Sequence, residues 1–296
     1  EQKAQADGYD PLHVRVYEPG QAAVILFNGS EELLVLATTV AASQPTGILE
    51  IVPFPSQPEI KLGNADRMAA LERILIEENQ PKYVAMPPAA AGRPGATAFQ
   101  AGALEEKPRG IDYSARISFR AKLGAHDVKT VEVLDRDFFS AWVLRYMTQQ
   151  QAVHAAVRPE YGDVIERYLK RGFRWFAMDS ISVSNSAESR RPIQYRFKTD
   201  EIFYPLEISS LQEGPTTIDL LMVTPYPLRE FDLPYKDRTE HGLKASIQRV
   251  GLARASGAWA AFMKDNEDGL VYIEMLTLRG ELRKFKEDFS ARHRPA

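Results

Sequence analysis

The densest group of chemically active side chains is the segment Asp265–Gly269, which reads Asp-Asn-Glu-Asp-Gly. Its carboxylates Asp265, Glu267 and Asp268 offer the oxygen ligands that Ca²⁺ prefers, but their spacing is not that of an EF-hand loop. Asx residues and Gly before a strand also favour tight turns for conformational reasons alone. We therefore predict a turn here and keep the three carboxylates as candidate calcium ligands.

The five histidines are scattered along the chain and do not fall at metal-ligand spacing. His126 directly precedes Asp127, and an imidazole beside a carboxylate can act as a general base with its orienting partner. Adjacent side chains on a strand point to opposite faces, however. We therefore predict that His126 and Asp127 lie in a loop turn.

The sequence lacks the motifs that mark common catalytic and nucleotide-binding sites: Gly-x-Ser-x-Gly, His-Glu-x-x-His, a Gly-rich phosphate loop with Lys, and the dinucleotide fingerprint. It has no cysteine, which excludes disulfides, thiolate metal sites and thiol nucleophiles. A net charge of −3 gives no overall field that would attract nucleic acid. We predict no catalytic residue, no cofactor and no nucleic-acid partner.

The elements that must position any site begin with strands. Alternating apolar and polar residues indicate a half-buried strand before residue 18. Asn28-Gly29 between two apolar runs predicts a hairpin with a type I′ turn. The strand Ile48–Val52 is predicted to stop at Pro53, because proline has no N–H for the ladder. A helix is predicted over Asn64–Glu78, with Asn64 as its cap.

Later segments mix helices and strands. Two helices are predicted between Asp135 and Arg171, and Gly172 stands where a left-handed C-terminal residue belongs. The segment from Glu240 to Lys264 is predicted as a helix weakened by three glycines. The other strands are predicted from β-branched and aromatic runs, and they are Ile111–Phe119, Val128–Val133, Phe173–Val183, Ile193–Phe197, Leu206–Ile208, Ile218–Val223 and Leu270–Leu278.

This order of elements predicts an α+β fold, predominantly antiparallel β-sheet with a few helices packed on it. Residues 1–20 are predicted as an N-terminal arm and strand, 21–289 as a β-rich body and 290–296 as a tail. Pro87–Gly110 is rich in Pro, Gly and Ala and could subdivide the body. The longest apolar stretch, Leu33–Ala42, is too short to cross a bilayer, so no transmembrane segment is predicted.

Short motifs in a fixed order resemble a family of exported prokaryotic proteins known as domain of unknown function 2330. The motifs are Gln21–Leu26, Ile51–Ser56, Val131–Asp135, Tyr168–Phe173, Arg191–Phe197, Leu276–Gly280 and Glu287–Phe289. The resemblance implies export and a globular β-rich body, and it transfers no catalytic residue. Family members often carry cysteines, which this chain lacks, and Pro87–Gly110 is a second departure from the family pattern.

The sequence begins at Glu1 rather than Met, which suggests that a secretion signal was removed, although a shortened chain would begin in the same way. Together with the resemblance, this predicts an extracellular or cell-envelope location.

Our first functional hypothesis is a structural protein that self-associates. Leu12, Val14, Val16 and Tyr17 follow the polar arm and could add a strand to the open sheet edge of another copy. Head-to-tail contacts of this kind propagate into a filament unless they close into a ring. Other copies of the chain are therefore the expected partners.

Two alternatives stay open at this point. An envelope-associated module that binds a small molecule or glycan predicts a concave pocket lined by aromatic residues such as Tyr195, Tyr204, Tyr226 or Tyr235. A hydrolase that uses carboxylates alone requires two acidic groups that converge in a cleft.

Overall fold

The computed structural model describes residues 15–81, 115–123, 126–149, 159–228, 235–263 and 268–291. The helices are α1 (Ala65–Glu78), α2 (Arg136–Gln149), α3 (Pro159–Lys170) and α4 (Gly257–Phe262). The strands are β1 (Val16–Phe27), β2 (Glu31–Ala42), β3 (Thr46–Phe54), β4 (Glu59–Leu62), β5 (Ala115–Leu123), β6 (His126–Val133), β7 (Trp175–Val183), β8 (Glu188–Ser189), β9 (Ile193–Lys198), β10 (Ile202–Tyr204), β11 (Pro215–Thr224), β12 (Thr239–Gln248), β13 (Leu270–Glu281) and β14 (Phe289–Ala291). The predicted sheet-rich α+β class is confirmed.

Within these ranges, the large sheet has eight strands in the order β12-β13-β11-β1-β2-β9-β4, with β8 against β2. Strand β1 lies in its middle, parallel to β11 and antiparallel to β2. Side chains of β1 alternate between two cores: Ala23 and Ile25 join the larger core, and Val24 and Leu26 join a second core with α1 and α4. This is why β1 is apolar on both faces from Ala22 to Phe27.

The small sheet has the order β3-β7-β6-β5 and packs against the large sheet. On one face, the ring of Phe54 lies 4.9 Å from that of Tyr195 in the large sheet. On the other face, Phe176 packs against Phe139 of α2 and Tyr168 of α3, with ring centroids 6.0 and 6.2 Å apart. In the described part of the chain, the layers are therefore α1 and α4, the large sheet, the small sheet, and α2 and α3, in that order.

The predicted hairpin between β1 and β2 is present, but its turn differs from the prediction. The N–H of Asn28 donates to the carbonyl of Glu31 at 3.1 Å, so Gly29 and Ser30 are the central residues. Gly29 has φ 93° while Ser30 has a negative φ, which defines a type II′ turn rather than type I′. Asn28 instead accepts hydrogen bonds from the N–H groups of Ser30 and Glu31 through its side chain.

Three strand and helix predictions were wrong. Strand β3 continues through Pro53, because β3 is an edge strand and proline needs no ladder partner on its open side. The predicted helix Glu240–Lys264 is mostly absent, because β12 pairs with β13 and only α4 is α-helical. Pairing with an existing strand satisfies backbone groups that a glycine-weakened helix holds poorly. The predicted strand Leu206–Ile208 is also absent, and β10 lies just before it.

The predicted helices around the sheets were otherwise confirmed. Asn64 caps α1 by accepting from the N–H of Arg67 at 3.1 Å, and α1 buries Leu71, Ile74 and Leu75. The helices predicted before residue 172 are α2 and α3, and Gly172 has φ 88°. None of the helices in the described part of the chain is both long and apolar enough to cross a membrane.

Several predicted segments lie outside the described residues. They are the arm before Arg15, the excursion Pro87–Gly110 and the last five residues. The first two residues of the predicted tail, Ser290 and Ala291, belong to β14, which pairs with β10.

Candidate functional site

A layer of polar side chains crosses the apolar space between the two sheets. On each of three strands, one side chain that faces between the sheets belongs to the larger core, the next on that face is polar, and the third belongs to a small apolar cluster. The three sets, in this order, are Leu36, Thr38 and Val40 on β2; Val52, Glu50 and Ile48 on β3; and Ala177, Asp179 and Ile181 on β7. His126 on β6 and Glu18 on β1 extend this layer. We call these residues the polar layer: Glu18, Thr38, Glu50, His126 and Asp179.

Glu50 and Asp179 lie directly opposite each other in the antiparallel pair of β3 and β7. Two carboxylates in such positions repel each other. Burial, and then the negative charges of Glu18 and Asp179, raises the pKa of Glu50 from 4.5 to about 7. The hydroxyl of Thr38 donates to Glu50 Oε1 at 3.2 Å. Glu50 is therefore protonated in mildly acidic solution, which relieves the repulsion.

His126 stabilises the charge of Asp179. Its Nδ1 contacts Asp179 Oδ2, and its Nε2 lies 3.2 Å from the backbone carbonyl of Arg191. The hydrogen bond with Asp179 raises the pKa of His126 above its usual 6.5. Two acceptors around one ring fit an imidazolium that donates from both nitrogens. Through these two contacts, His126 connects the small sheet to the segment before β9.

The predicted loop turn at His126 and Asp127 was wrong, because both residues lie in β6. Adjacent strand residues point to opposite faces, and His126 pairs with Asp179 of the neighbouring strand instead. Sequence reasoning did not select Glu50, although a signal was present: one acid stands alone in the apolar run Ile48–Val52.

Glu18 forms the end of the polar layer nearest the start of β1. The side chain of Gln21 donates to Glu18 Oε2 at 2.9 Å and to Ser209 Oγ at 3.2 Å. Tyr204 donates its hydroxyl to Gln21 Oε1 at 2.6 Å. Burial raises the pKa of Glu18 from 4.5 to about 7, and the hydrogen bonds with Ser209 and Gln21 oppose this rise. The side chains at this end of the layer therefore bond to one another.

A second polar cluster, made of two buried carboxylates and two partly exposed arginines, anchors α3. Arg167 and Arg171 both contact the carboxylate of Glu207, and Arg171 lies 3.0 Å from Asp288. Asp288 Oδ1 also accepts from the hydroxyl of Tyr168 at 2.6 Å and from two backbone N–H groups at 3.0 Å. Both carboxylates are thus bound by the protein itself, which is typical of a structural network.

The candidate calcium ligands are only partly described. Asp265 and Glu267 lie outside the described residues, and Asp268 is exposed in the turn before β13. Across the described ranges, no group of three or more metal-binding side chains is suitably placed for an ion. The three carboxylates stay candidate ligands only, and Asp268 lies in the predicted turn.

The residues predicted to mediate self-association are also only partly described. Leu12 and Val14 lie outside the described residues, whereas Val16 and Tyr17 begin β1. Val16 and Tyr17 pair with β2, and Tyr17 also bridges to the segment before β11. Val16 and Tyr17 therefore already pair with strands of their own chain.

Of the four tyrosines predicted to line an aromatic pocket, two are buried and a third packs against a phenylalanine. Tyr195 and Tyr204 are buried within the larger core. Tyr235 packs edge-on against Phe285 at 5.1 Å. These positions give the ligand-binding alternative no support.

A cleft of about 350 Å³ lies beside β12, one of the two edge strands of the large sheet. We call it the edge cleft. Its lining includes Ser246 and Gln248 of β12, Ile74 and Glu78 of α1, and Gly251 and Arg254 of the 3₁₀ turn after β12. Helix α1, the 3₁₀ turn and an edge strand therefore enclose it.

The fold and its polar clusters define a sheet-rich α+β protein with two stacked sheets, whose described ionisable clusters are bonded internally. Residues 13–232 match the family described as an uncharacterized protein conserved in bacteria, DUF2330, and the chain belongs to this family, as the sequence motifs predicted. No curated protein matches the chain.

Two solved structures resemble the fold at low similarity. The crystal structure of baculovirus P35 is 7% identical, with 96% of this chain and 99% of that chain covered and a TM-score of 0.41. A chain of the crystal structure of the caspase-8/P35 complex is 8% identical, with 93% of this chain and 96% of that chain covered and a TM-score of 0.37. At these TM-scores neither likeness supports an inference about function.

Proposed function

We propose that this chain is an exported, non-catalytic structural protein that self-associates through its N-terminal arm into a filament or surface assembly. Its partners are other copies of itself. The observation that carries the proposal is that β12, one of the two edge strands of the large sheet, is paired with a strand on only one side in the described part of the chain. Such an edge offers backbone groups to an additional strand.

The internal use of ionisable groups supports a non-catalytic role. Both ring nitrogens of His126 face acceptors, and the carboxylates of Glu207 and Asp288 are held by arginines. Catalytic acids and bases must reach a substrate, whereas these groups bind elements of the fold to each other.

Removal of residues 1–14 tests the proposal. Strand β1 starts at Val16. The N–H of Arg15 donates to Ser43 Oγ, and the carbonyl of Arg15 accepts from the N–H of Ser43. A chain that begins at Arg15 therefore keeps its central strand and these two bonds. We expect the truncated chain to stay monomeric in light scattering and negative-stain microscopy while the full chain assembles.

A variant that lacks residues 292–296 is the matched control, and circular dichroism should show the same folded spectrum for all three proteins. Equal assembly of the full and truncated chains would reject the proposal.

Export is tested separately. Fractionation of the native host should recover the protein in the envelope or medium. Recovery in the cytoplasm alone would reject this part.

A further inference from the structure

We propose that the polar layer is a pH-dependent switch: while Glu18 and Glu50 are protonated it holds one end of the two sheets together, and when they ionise this end opens while the rest of the protein stays folded. The residues at this end form the small apolar cluster beyond the polar layer, which we call the corner cluster. Its members are Val40, Ala42, Ile181 and Val183, with Val16 and Ile48 packed against them. The switch acts within one molecule and does not depend on self-association.

The corner cluster is small and is separated from the larger core. Its buried members are no larger than isoleucine, whereas the larger core contains aromatic rings from both sheets and from α2 and α3. Thr38, Glu50 and Asp179 stand between the two clusters on β2, β3 and β7. Regions with few buried apolar contacts open at a lower free energy than the whole protein. This end can therefore open without unfolding of the larger core.

Three carboxylates from three strands meet in the polar layer. Glu50 and Asp179 are directly opposite each other, so their Cβ atoms are about 4.5–5.5 Å apart. Glu18 lies near enough for its charge to raise the pKa of Glu50. In the described ranges, the ion pair of Asp179 with His126 is the only one that these acids form. One cation thus pairs with one of the three acids.

The other groups around the layer are neutral or bonded elsewhere. Burial raises the pKa of Tyr195 and of Tyr204, which keeps both hydroxyls neutral. The N–H of Arg190 donates to the carbonyl of Thr38 at 3.2 Å, and its guanidinium donates to the carbonyl of Ser182. Arg190 therefore binds backbone at this end rather than the carboxylates. The remaining partners of the acids are neutral, and they are Thr38, Gln21 and Ser209.

Ionisation changes the charge balance of the layer. With Glu18 and Glu50 protonated, the charges of Asp179 and His126 cancel. Burial raises the pKa of both glutamates to about 7, so between pH 5 and pH 8 the layer gains two negative charges. Asp179 Oδ1 is buried without a hydrogen-bond partner in the described part of the chain. A protonated Glu50 is a potential donor to it, whereas an ionised Glu50 is a further acceptor. Opening of this end returns the charges to water.

Backbone amides can report the opening. The N–H of Ala42 donates to the carbonyl of Ser184 at 2.9 Å, and the N–H of Ser43 donates to the carbonyl of Arg15 at 2.9 Å. Both bonds hold the end of β2 to neighbouring segments, and opening breaks them. Val24 lies in the middle of the large sheet, between β2 and β11. Its amide therefore reports global unfolding.

Native-state hydrogen exchange of the full chain at pH 5 and pH 8, each in a series of low urea concentrations, tests the switch. Protection factors are corrected for the intrinsic exchange rate at each pH. At pH 8 we expect the amides of Ala42 and Ser43 to be about a hundredfold less protected than that of Val24, and insensitive to urea because local opening exposes little surface. Their protection should fall at least about tenfold from pH 5 to pH 8. Equal protection and equal urea dependence of Ala42 and Val24 would overturn the local opening.

Variants test whether the polar layer operates the switch. Glu50→Gln cannot ionise and should reduce the fall in protection of Ala42 between pH 5 and pH 8 at least threefold. Glu50→Gln combined with Glu18→Gln should remove the fall. Glu72→Gln, on the exposed face of α1, is the matched control and should behave as the wild type. A fall as large in Glu50→Gln and in the double variant as in the wild type would overturn the role of the polar layer.

Discussion

A rise in pH from 5 to 8 should destabilise this protein through its polar layer. Burial raises the pKa of both Glu18 and Glu50 from 4.5 to about 7. A carboxyl with a raised pKa contributes stability that is complete below pH 4.5 and is lost by about pH 7. His126 acts in the same direction, since its raised pKa contributes stability that is lost as the pH rises through that pKa.

The size of the effect follows from the shifts. When the pKa of a carboxyl rises from 4.5 in the unfolded chain to about 7 in the folded protein, the protein loses about 3 kcal/mol of stability over this pH range, at 1.36 kcal/mol per pKa unit. Glu18 and Glu50 both retain some exposed surface, so solvent screening reduces this value. We expect a fall in the free energy of unfolding on the order of 2–4 kcal/mol for the two together.

Urea denaturation of the wild-type protein and Glu50→Gln at pH 5, 6, 7 and 8 measures the effect. The glutamine keeps an acceptor for Thr38 but cannot ionise opposite Asp179. The free energy of unfolding of Glu50→Gln should equal that of the wild type within about 1 kcal/mol at pH 5 and exceed it by about 1–2 kcal/mol at pH 8.

Glu72→Gln, on the exposed face of α1, is the matched control and should follow the wild type. Parallel pH curves for the wild type and Glu50→Gln, or a wild type that gains stability towards pH 8, would refute the reasoning.

Three further predictions concern stability in urea. Arg171→Met should cost about 1–3 kcal/mol, because the buried carboxylates of Glu207 and Asp288 lose a partly exposed cation, while Lys170→Met, in an exposed ion pair, should cost less than about 1; equal costs would contradict the internal network. Gly29→Ala should cost about 1 kcal/mol or more, because alanine disfavours φ 93°, and no loss would contradict the type II′ turn. Leu71 lies on the buried face of α1, so Leu71→Ala should lower the free energy of unfolding by about 2–5 kcal/mol. A loss below about 1 kcal/mol would mean that α1 does not cover the large sheet.

Local patterns predicted much of the fold. The cap of α1, the hairpin after β1 and the helices before Gly172 all follow from residues close together in sequence. The error over Glu240–Lys264 arose because pairing with β13 overrode local preference. The extension of β3 through Pro53 depended on its edge position, which no local pattern reveals.

The sequence by itself determined the class of the protein, the family and the absence of thiol chemistry, because these depend on composition, periodicity and short motifs. Only the tertiary structure brought Glu50, Asp179 and His126 together, because they lie on three strands far apart in the chain. It also placed these groups between the larger core and the corner cluster. Strand order and register set these positions, and both arise from long-range pairing that the local sequence does not encode.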